Sequence, residues 1–205
     1  MPTLHSLPSQ STASLLPGFD HPVDDAQVVF RATLQAFAHP GRIEALTADC
    51  GVPDGLSPAM TALLLTLADP DTPVWLPADM AASAGAFLRF HCGCPLVDDV
   101  AAAQFVCVPA GHAMPALRGC AQGDPAFPDR SATLIVEVAS LDDGSMLTLR
   151  GPGIETTRTL RVAGLPEDFR RQWQANHAGF PLGVDLLLTA GERICALPRT
   201  TLVED

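Results

Sequence analysis

Two apolar runs near the carboxyl end constrain the fold of this chain most. Val184-Asp185-Leu186-Leu187-Leu188 is apolar at all but one position, and Ile194-Cys195-Ala196-Leu197 follows after Thr189-Ala190-Gly191-Glu192-Arg193. Short runs without alternation suit strands covered on both faces, and Gly191 supplies a reversal, so the pattern predicts a buried hairpin whose first strand is central in a sheet. Asp185 stands near the start of that strand. The second run ends at Pro198-Arg199-Thr200-Thr201, where proline stops ladder pairing. Open α/β sheets bind ligands at the carboxyl ends of their strands, so Arg199 and Thr200 are expected as anion ligands. The plainer alternative for Arg199 is a solvated strand-end charge.

Upstream, Met1 to His21 carries Ser, Thr, Pro and scattered leucines without periodicity, and an arm is expected there. From Val23 onward, Ala26, Val29, Phe30, Thr33, Leu34 and Phe37 recur at helical spacing until His39-Pro40-Gly41 ends the helix. Asp24 and Asp25 suit its positive N-terminal end, and His39 suits a C-terminal cap. Ser57-Pro58 reads as N-cap and first position of a largely buried helix through Ala68. Asp69 to Thr72 then turns into a short strand, Pro73 to Leu76, whose Trp75 is expected to be packed.

A helix is expected over Ala78 to Phe90, ending near Arg89 and His91, which form a second candidate anion pair beside the alternative of surface solvation. His91-Cys92-Gly93-Cys94 lacks the two-residue spacer and the fourth ligand of a zinc site, so a turn with small apolar thiols is expected and no metal. Gln104 to Val108 reads as a strand and Pro109 to Arg130 as a loop excursion. Ala132 to Val138 is a strong strand, with Met146 to Leu149 expected as its antiparallel partner across Asp142-Asp143-Gly144. Gly151-Pro152-Gly153 lacks the third glycine of a dinucleotide fingerprint, and Thr156, Thr157 and Thr159 suit an extended segment instead. Leu165-Pro166-Glu167 opens a helix through Gln174, with Phe169 and Trp173 on one face. Helices and strands alternate early and hairpins dominate later. The fold class expected is α/β: a three-layer sandwich with a mixed sheet, as one domain over residues 22–205 behind the arm of residues 1–21.

Composition narrows the chemistry. All twelve basic residues are arginine, so the chain has no lysine for a pyridoxal phosphate aldimine, a P-loop or a Ser-Lys pair. A net charge of −11 argues against nucleic acid and anionic membrane as partners. Six cysteines without a basic and apolar leader pattern point to a cytoplasmic protein with reduced thiols, and no apolar run is long enough to span a membrane.

LLLTLADPDTPVWL (Leu63 to Leu76) and FPLGVDLLLTAGERICALPRTT (Phe180 to Thr201), in that order, resemble the PhnH family of the bacterial carbon-phosphorus lyase system. The resemblance runs on through Val23 to Gly41, FLRFHCGCPLV (Phe87 to Val97) and Ala132 to Ile154. It implies an α/β sandwich similar in outline to the large domain of PLP-dependent transferases, here without PLP or any other cofactor. It also implies a subunit that acts with PhnG, PhnI and PhnJ in alkylphosphonate breakdown, in which ATP and an alkylphosphonate give a ribose phosphonate triphosphate with loss of adenine. The family supplies no established catalytic residue, so none is assigned.

Three functions therefore stand open on the sequence. The first is a non-catalytic or co-catalytic subunit of that assembly. The second is a free-standing enzyme or binding protein for a small phosphorylated or phosphonate ligand, with Arg89, His91, Arg199 and Thr200 as anion ligands. The third is a stand-alone homodimer that protects partner surfaces. No G-x-S-x-G or H-E-x-x-H motif supports the second.

Overall fold

A computed structural model describes residues 16–47 and 49–204. Its centre is a seven-stranded mixed sheet in the order β1-β9-β8-β5-β4-β2-β3, formed by β1 (Ile43–Ala45), β2 (Val74–Trp75), β3 (Leu96–Val97), β4 (Phe105–Val108), β5 (Thr133–Glu137), β8 (Asp185–Ala190) and β9 (Arg193–Leu197). β2, β3, β4, β5 and β8 run parallel, while β9 returns antiparallel beside β8 and β1 pairs antiparallel with β9. The hairpin predicted from the two apolar runs is present, turning at Gly191 with φ +64°. β8 lies between β5 and β9, and its Leu186, Leu187 and Leu188 are all fully buried, as a strand covered on both faces requires.

Alternate residues of the sheet point to two different layers. Cys107, Ile135, Leu187, Ile194 and Ala196 join one apolar cluster with α1 (Pro22–Ala38), α2 (Pro58–Leu67) and α3 (Ala84–His91). Val106, Leu134, Val136, Leu186, Leu188 and Leu197 join another with α4 (Phe169–Ala178) and a small sheet. That sheet is three-stranded and antiparallel, in the order β10-β6-β7, from β6 (Ser140–Arg150), β7 (Arg158–Ala163) and β10 (Leu202–Glu204).

The hairpin expected between Ala132–Val138 and Met146–Leu149 is corrected here. β5 pairs on both sides with parallel strands, β4 and β8, and β6 leaves for the second sheet to pair with β7 and β10. The reason is burial: Leu134, Ile135 and Val136 are buried in sequence and need cover on two faces, whereas β6 alternates Leu147 and Leu149 inward with exposed Met146 and Arg150.

The helices follow their start and stop residues. The Ser57 hydroxyl accepts from Met60 N at 3.2 Å and opens α2. α1 ends at His39, and the guanidinium of Arg158 on β7 donates to the carbonyls of His39 and Pro40 at 3.0 and 2.8 Å, a cation where the helix dipole wants one. Gly153 passes so close beneath that a Cβ there would stand 2.1 Å from the Ala38 carbonyl oxygen. The Gly-Pro-Gly stretch thus serves backbone packing. α1 does not bury the whole face expected of it: Val29, Thr33 and Ala36 are buried, while Phe30 and Leu34 are 47% and 51% exposed. The helix expected over Ala78 to Phe90 divides into a 3-10 turn at Ala78–Met80 and α3 proper.

The first fifteen residues of the expected arm lie outside the described residues. Of the remainder, Leu16 O meets His91 Nε2 at 2.9 Å and Pro17 O accepts from Gly51 N at 2.9 Å, which holds this stretch against the helical layer. No described helix is long and apolar enough to cross a membrane.

Candidate functional site

The four residues selected from the sequence fall into two places. Arg199 and Thr200 follow β9, whereas Arg89 and His91 lie on the last turn of α3, which leads to β3 at the far edge of the sheet. β9 and β3 are five strand positions apart in the sheet order, about 24 Å at the usual spacing. Among the described residues no hydrogen bond, ion pair or ring contact joins the two pairs.

Arg199 is enclosed, with its side chain 12% exposed. Its Nε donates to Asp185 Oδ1 at 3.1 Å and its Nη2 to Asp185 Oδ2 at 2.5 Å, a two-point ion pair. Nη1 donates to the carbonyls of Pro128 and Pro181 at 3.1 and 3.3 Å, and Nη2 also donates to the Ser131 hydroxyl. A guanidinium has five N–H groups, so all of them are engaged. The Arg199 backbone is held as well, its N–H by Asp185 and its carbonyl by His177 Nδ1. The sequence argument placed Arg199 at a ligand-binding strand end. Because β9 runs opposite to the parallel strands, its carboxyl end lies at their amino ends, beside the start of β8.

His91 Nε2 is engaged by Leu16 O, and its ring packs on Phe87 at 4.4 Å and Phe90 at 4.9 Å between centroids. Arg89 is exposed at the negative end of α3, a favourable place for a cation. Thr200 is half-buried, and its carbonyl oxygen lies where Gly151 leaves room for it.

Sequence reasoning missed a groove of about 470 Å³ between α4 and the turn Leu117–Gly119. Arg118 and Arg171 stand at it with Asp168 and Gln172. The Asp168 carboxyl is held below its ordinary value by the Gln172 side-chain amide first, and by Arg171 at 3.2 Å after that. Arg118 is exposed and has no hydrogen-bond or ion-pair partner among the described residues. The signal lay in arginines 53 positions apart, which nothing in the sequence pattern brings together.

Beside the groove, Asn176 replaces a missing piece of sheet. Its Oδ1 accepts from Val184 N at 2.8 Å and its Nδ2 donates to Val184 O at 2.9 Å, so the amide pairs with the backbone as a neighbouring strand would. Trp173 on the same helix is fully buried, stacks on Phe169 and donates from Nε1 to Thr201 O at 2.8 Å. These contacts fix α4 against the open end of the hairpin β8–β9, on both of its strands.

A family model described as "Bacterial phosphonate metabolism protein (PhnH)" matches residues 17–204. The chain is 44% identical over 187 residues to a Rhizobium meliloti (strain 1021) protein named alpha-D-ribose 1-methylphosphonate 5-triphosphate synthase subunit PhnH, covering 91% of this chain and 94% of that one. It is also 33% identical over 175 residues to a Stutzerimonas stutzeri protein named putative C-P lyase subunit protein HtxG, covering 85% and 84% respectively.

Proposed function

The chain belongs to the PhnH family of bacterial phosphonate metabolism proteins, and we propose that it serves as the corresponding subunit of a carbon-phosphorus lyase assembly. In that role it is required, with PhnG, PhnI and PhnJ subunits, for making a ribose 1-phosphonate 5-triphosphate from ATP and an alkylphosphonate. The observation that carries the reading is the 44% identity to a named synthase subunit across nearly the full length of both chains. Saturation of Arg199 by its own fold supports a co-catalytic or non-catalytic part over a self-contained phosphonate site.

The same reading takes residues 22–205 as one domain with the outline of a PLP-dependent transferase large domain, and places the protein in the cytoplasm. The absence of lysine fits such an outline without the cofactor. Arg89, exposed at the end of α3, is assigned to an acidic group of a partner. Isolated protein is taken to be a homodimer, for which the apolar stripe Val23, Phe30 and Leu34 on α1 is the self-complementary surface.

Purification of a tagged chain after co-expression with PhnG, PhnI and PhnJ tests the main reading. Stoichiometric co-elution is expected, as is loss of methylphosphonate turnover when this chain is omitted. Full turnover by the other subunits without it would overturn the assignment. The α4 groove favours a second reading, a binding protein for a small phosphorylated ligand held by Arg118 and Arg171. Saturable binding of a phosphate monoester, abolished in Arg118→Ala, would support it.

A further inference from the structure

All six cysteines are free, and two of them stand one residue apart where α3 leads into β3. Cys92 caps α3 in a helical conformation (φ −103°, ψ −22°), and Gly93 turns the chain at φ +67°. A Cβ on Gly93 would meet no atom closer than Pro70 Cγ at 3.4 Å, so the glycine answers to backbone conformation and not to crowding. Its turn keeps the two flanking cysteines together.

Both side chains enter the same place. Cys94 is 2% exposed within the apolar cluster of the helical layer, and half-buried Cys92 packs against that cluster. The Cys92 thiol has two acceptors for its single hydrogen, Leu64 O at 3.6 Å and the Cys94 sulfur. Residues one apart have Cα atoms roughly 5–7 Å from each other. A disulfide spans about 4.4–6.8 Å between Cα atoms, so joining these sulfurs asks for side-chain rotation and little backbone movement.

The other thiols are unlike this pair. Burial pushes Cys107, Cys120 and Cys195 up, and burial followed by the Asp49 and Asp25 carboxylates does the same to Cys50. Cys94 is lowered: the hydrogen bond from Cys92 outweighs burial, and its own backbone N–H and Arg89 add to the effect. The first proton of the pair therefore leaves more readily than that of a lone thiol, and the remaining one is shared between the two sulfurs. Cys92 gives the pair its opening to solvent, while Cys94 lies beneath it.

We propose that Cys92 and Cys94 form a dithiol site for exchange with low-molecular-weight disulfides, closing a reversible disulfide across Gly93. The Cys92 thiolate attacks one sulfur of the small disulfide, whose S–S bond breaks; a mixed disulfide forms on Cys92 and a small thiolate leaves. The Cys94 thiolate then attacks the Cys92 sulfur, expels the second small thiolate and closes the Cys92–Cys94 bond. Two protein thiols are oxidised, the small disulfide is reduced to two thiols, and the two cysteine protons end on those thiols. Closure withdraws the hydrogen that Cys92 offers to Leu64 O and ties the turn between α3 and β3. This site is independent of the assembly role proposed above.

The test is equilibration of the full, reduced chain with oxidised glutathione, read by intact mass and by thiol alkylation with fragment mapping. Loss of two hydrogens and of two alkylatable thiols, mapped to Cys92 and Cys94, is expected, with recovery on adding reduced glutathione. Cys94→Ser removes the resolving thiol and should retain glutathione on Cys92 at a level at least about tenfold above the parent, where resolution is intramolecular. Cys92→Ser, at a half-buried position, should abolish the loss of two hydrogens, and it decides if Cys94→Ser does not fold. Both thiols still alkylatable in the parent, a Cys92 adduct as abundant there as in Cys94→Ser, or a loss of two hydrogens that persists in Cys92→Ser would overturn the proposal. The parent measurement stands without either variant.

Discussion

Arg199 grips Asp185 at two points, across the open end of the β8–β9 hairpin and opposite its turn at Gly191. The pair joins the residue just before the buried stretch of β8 to the residue just past the end of β9. It also draws in the loop carbonyls of Pro128 and Pro181.

Arg199→Lys keeps a charge and loses the fork, so the Ser131 and proline contacts cannot all be remade. We expect a loss of about 2–3 kcal/mol in denaturant titrations, and about 3 kcal/mol or more for Asp185→Ala, which strands the guanidinium. An unchanged midpoint with an unchanged slope would return Arg199 to the role of a free anion ligand.

Asn176→Asp is a one-atom test of the α4 attachment. The aspartate can still accept from Val184 N, but it cannot donate to Val184 O and sets two acceptors against each other. A destabilisation of about 2–4 kcal/mol is expected, comparable to that of breaking other buried polar pairs. Thermal melts that coincide with the parent would show that the amide contributes little.

Much of this was legible in the sequence, and the gaps have physical causes. The unbroken apolar run at Leu186 to Leu188 announced a strand with two covered faces, and Ser57-Pro58 announced α2. Met146 to Leu149 said only that one face of a strand is buried, and alternation does not name the partner strand or even the sheet. Apolar periodicity cannot give strand direction either, so the end of the sheet on which Arg199 falls was open to the wrong choice. Asp79 and His112 meet across 33 positions through a chain crossing that no local pattern encodes.

Phe30→Asp places a charge in the exposed stripe of α1 without touching Val29, Thr33 or Ala36 beneath it. Stability should change by no more than about 0.5 kcal/mol, as at other surface positions. Light-scattering mass should fall from that of the proposed homodimer to that of a monomer. A dimer of unchanged affinity would move the self-association surface elsewhere.

Trp173→Ala and Trp75→Ala should separate by size. Trp173 is fully buried and hydrogen-bonded to Thr201, and its loss should cost about 3–5 kcal/mol. Trp75 is half-buried near the sheet edge, with Nε1 at 3.2 Å from Asp98 O, so a loss of about 1–3 kcal/mol is expected in the same denaturant assay. Equal losses would show that Trp75 is enclosed in solution.

Alkaline pH should weaken the fold through its thiols. Burial pushes the Cys195 thiol up to about 12 from an ordinary 9.0, and Cys107 further in the same direction. In the unfolded chain these thiols ionise from about pH 9, while in the folded chain they stay neutral. The raised values therefore stabilise fully below pH 9 and that contribution is lost as pH climbs through the folded values. A decline approaching about 1.4 kcal/mol per pH unit per thiol is expected above pH 9, and Cys195→Ala should make it shallower. A stability profile flat to about pH 11 would contradict this.

The pairing of Ile43 with Cys195 has a consequence for the order of events on the ribosome. Among the described residues β1 has β9 as its sole neighbour in the sheet, and the carbonyls at the end of α1 wait for Arg158. The first strand to emerge from the exit tunnel thus lacks its sheet neighbour, and the end of α1 its cation, until most of the chain has been translated. At roughly 5–20 residues per second, that interval is on the order of ten seconds. During it α1 can pack on α2 but not on β9, and the native sheet closes at its first edge only when the last strands arrive.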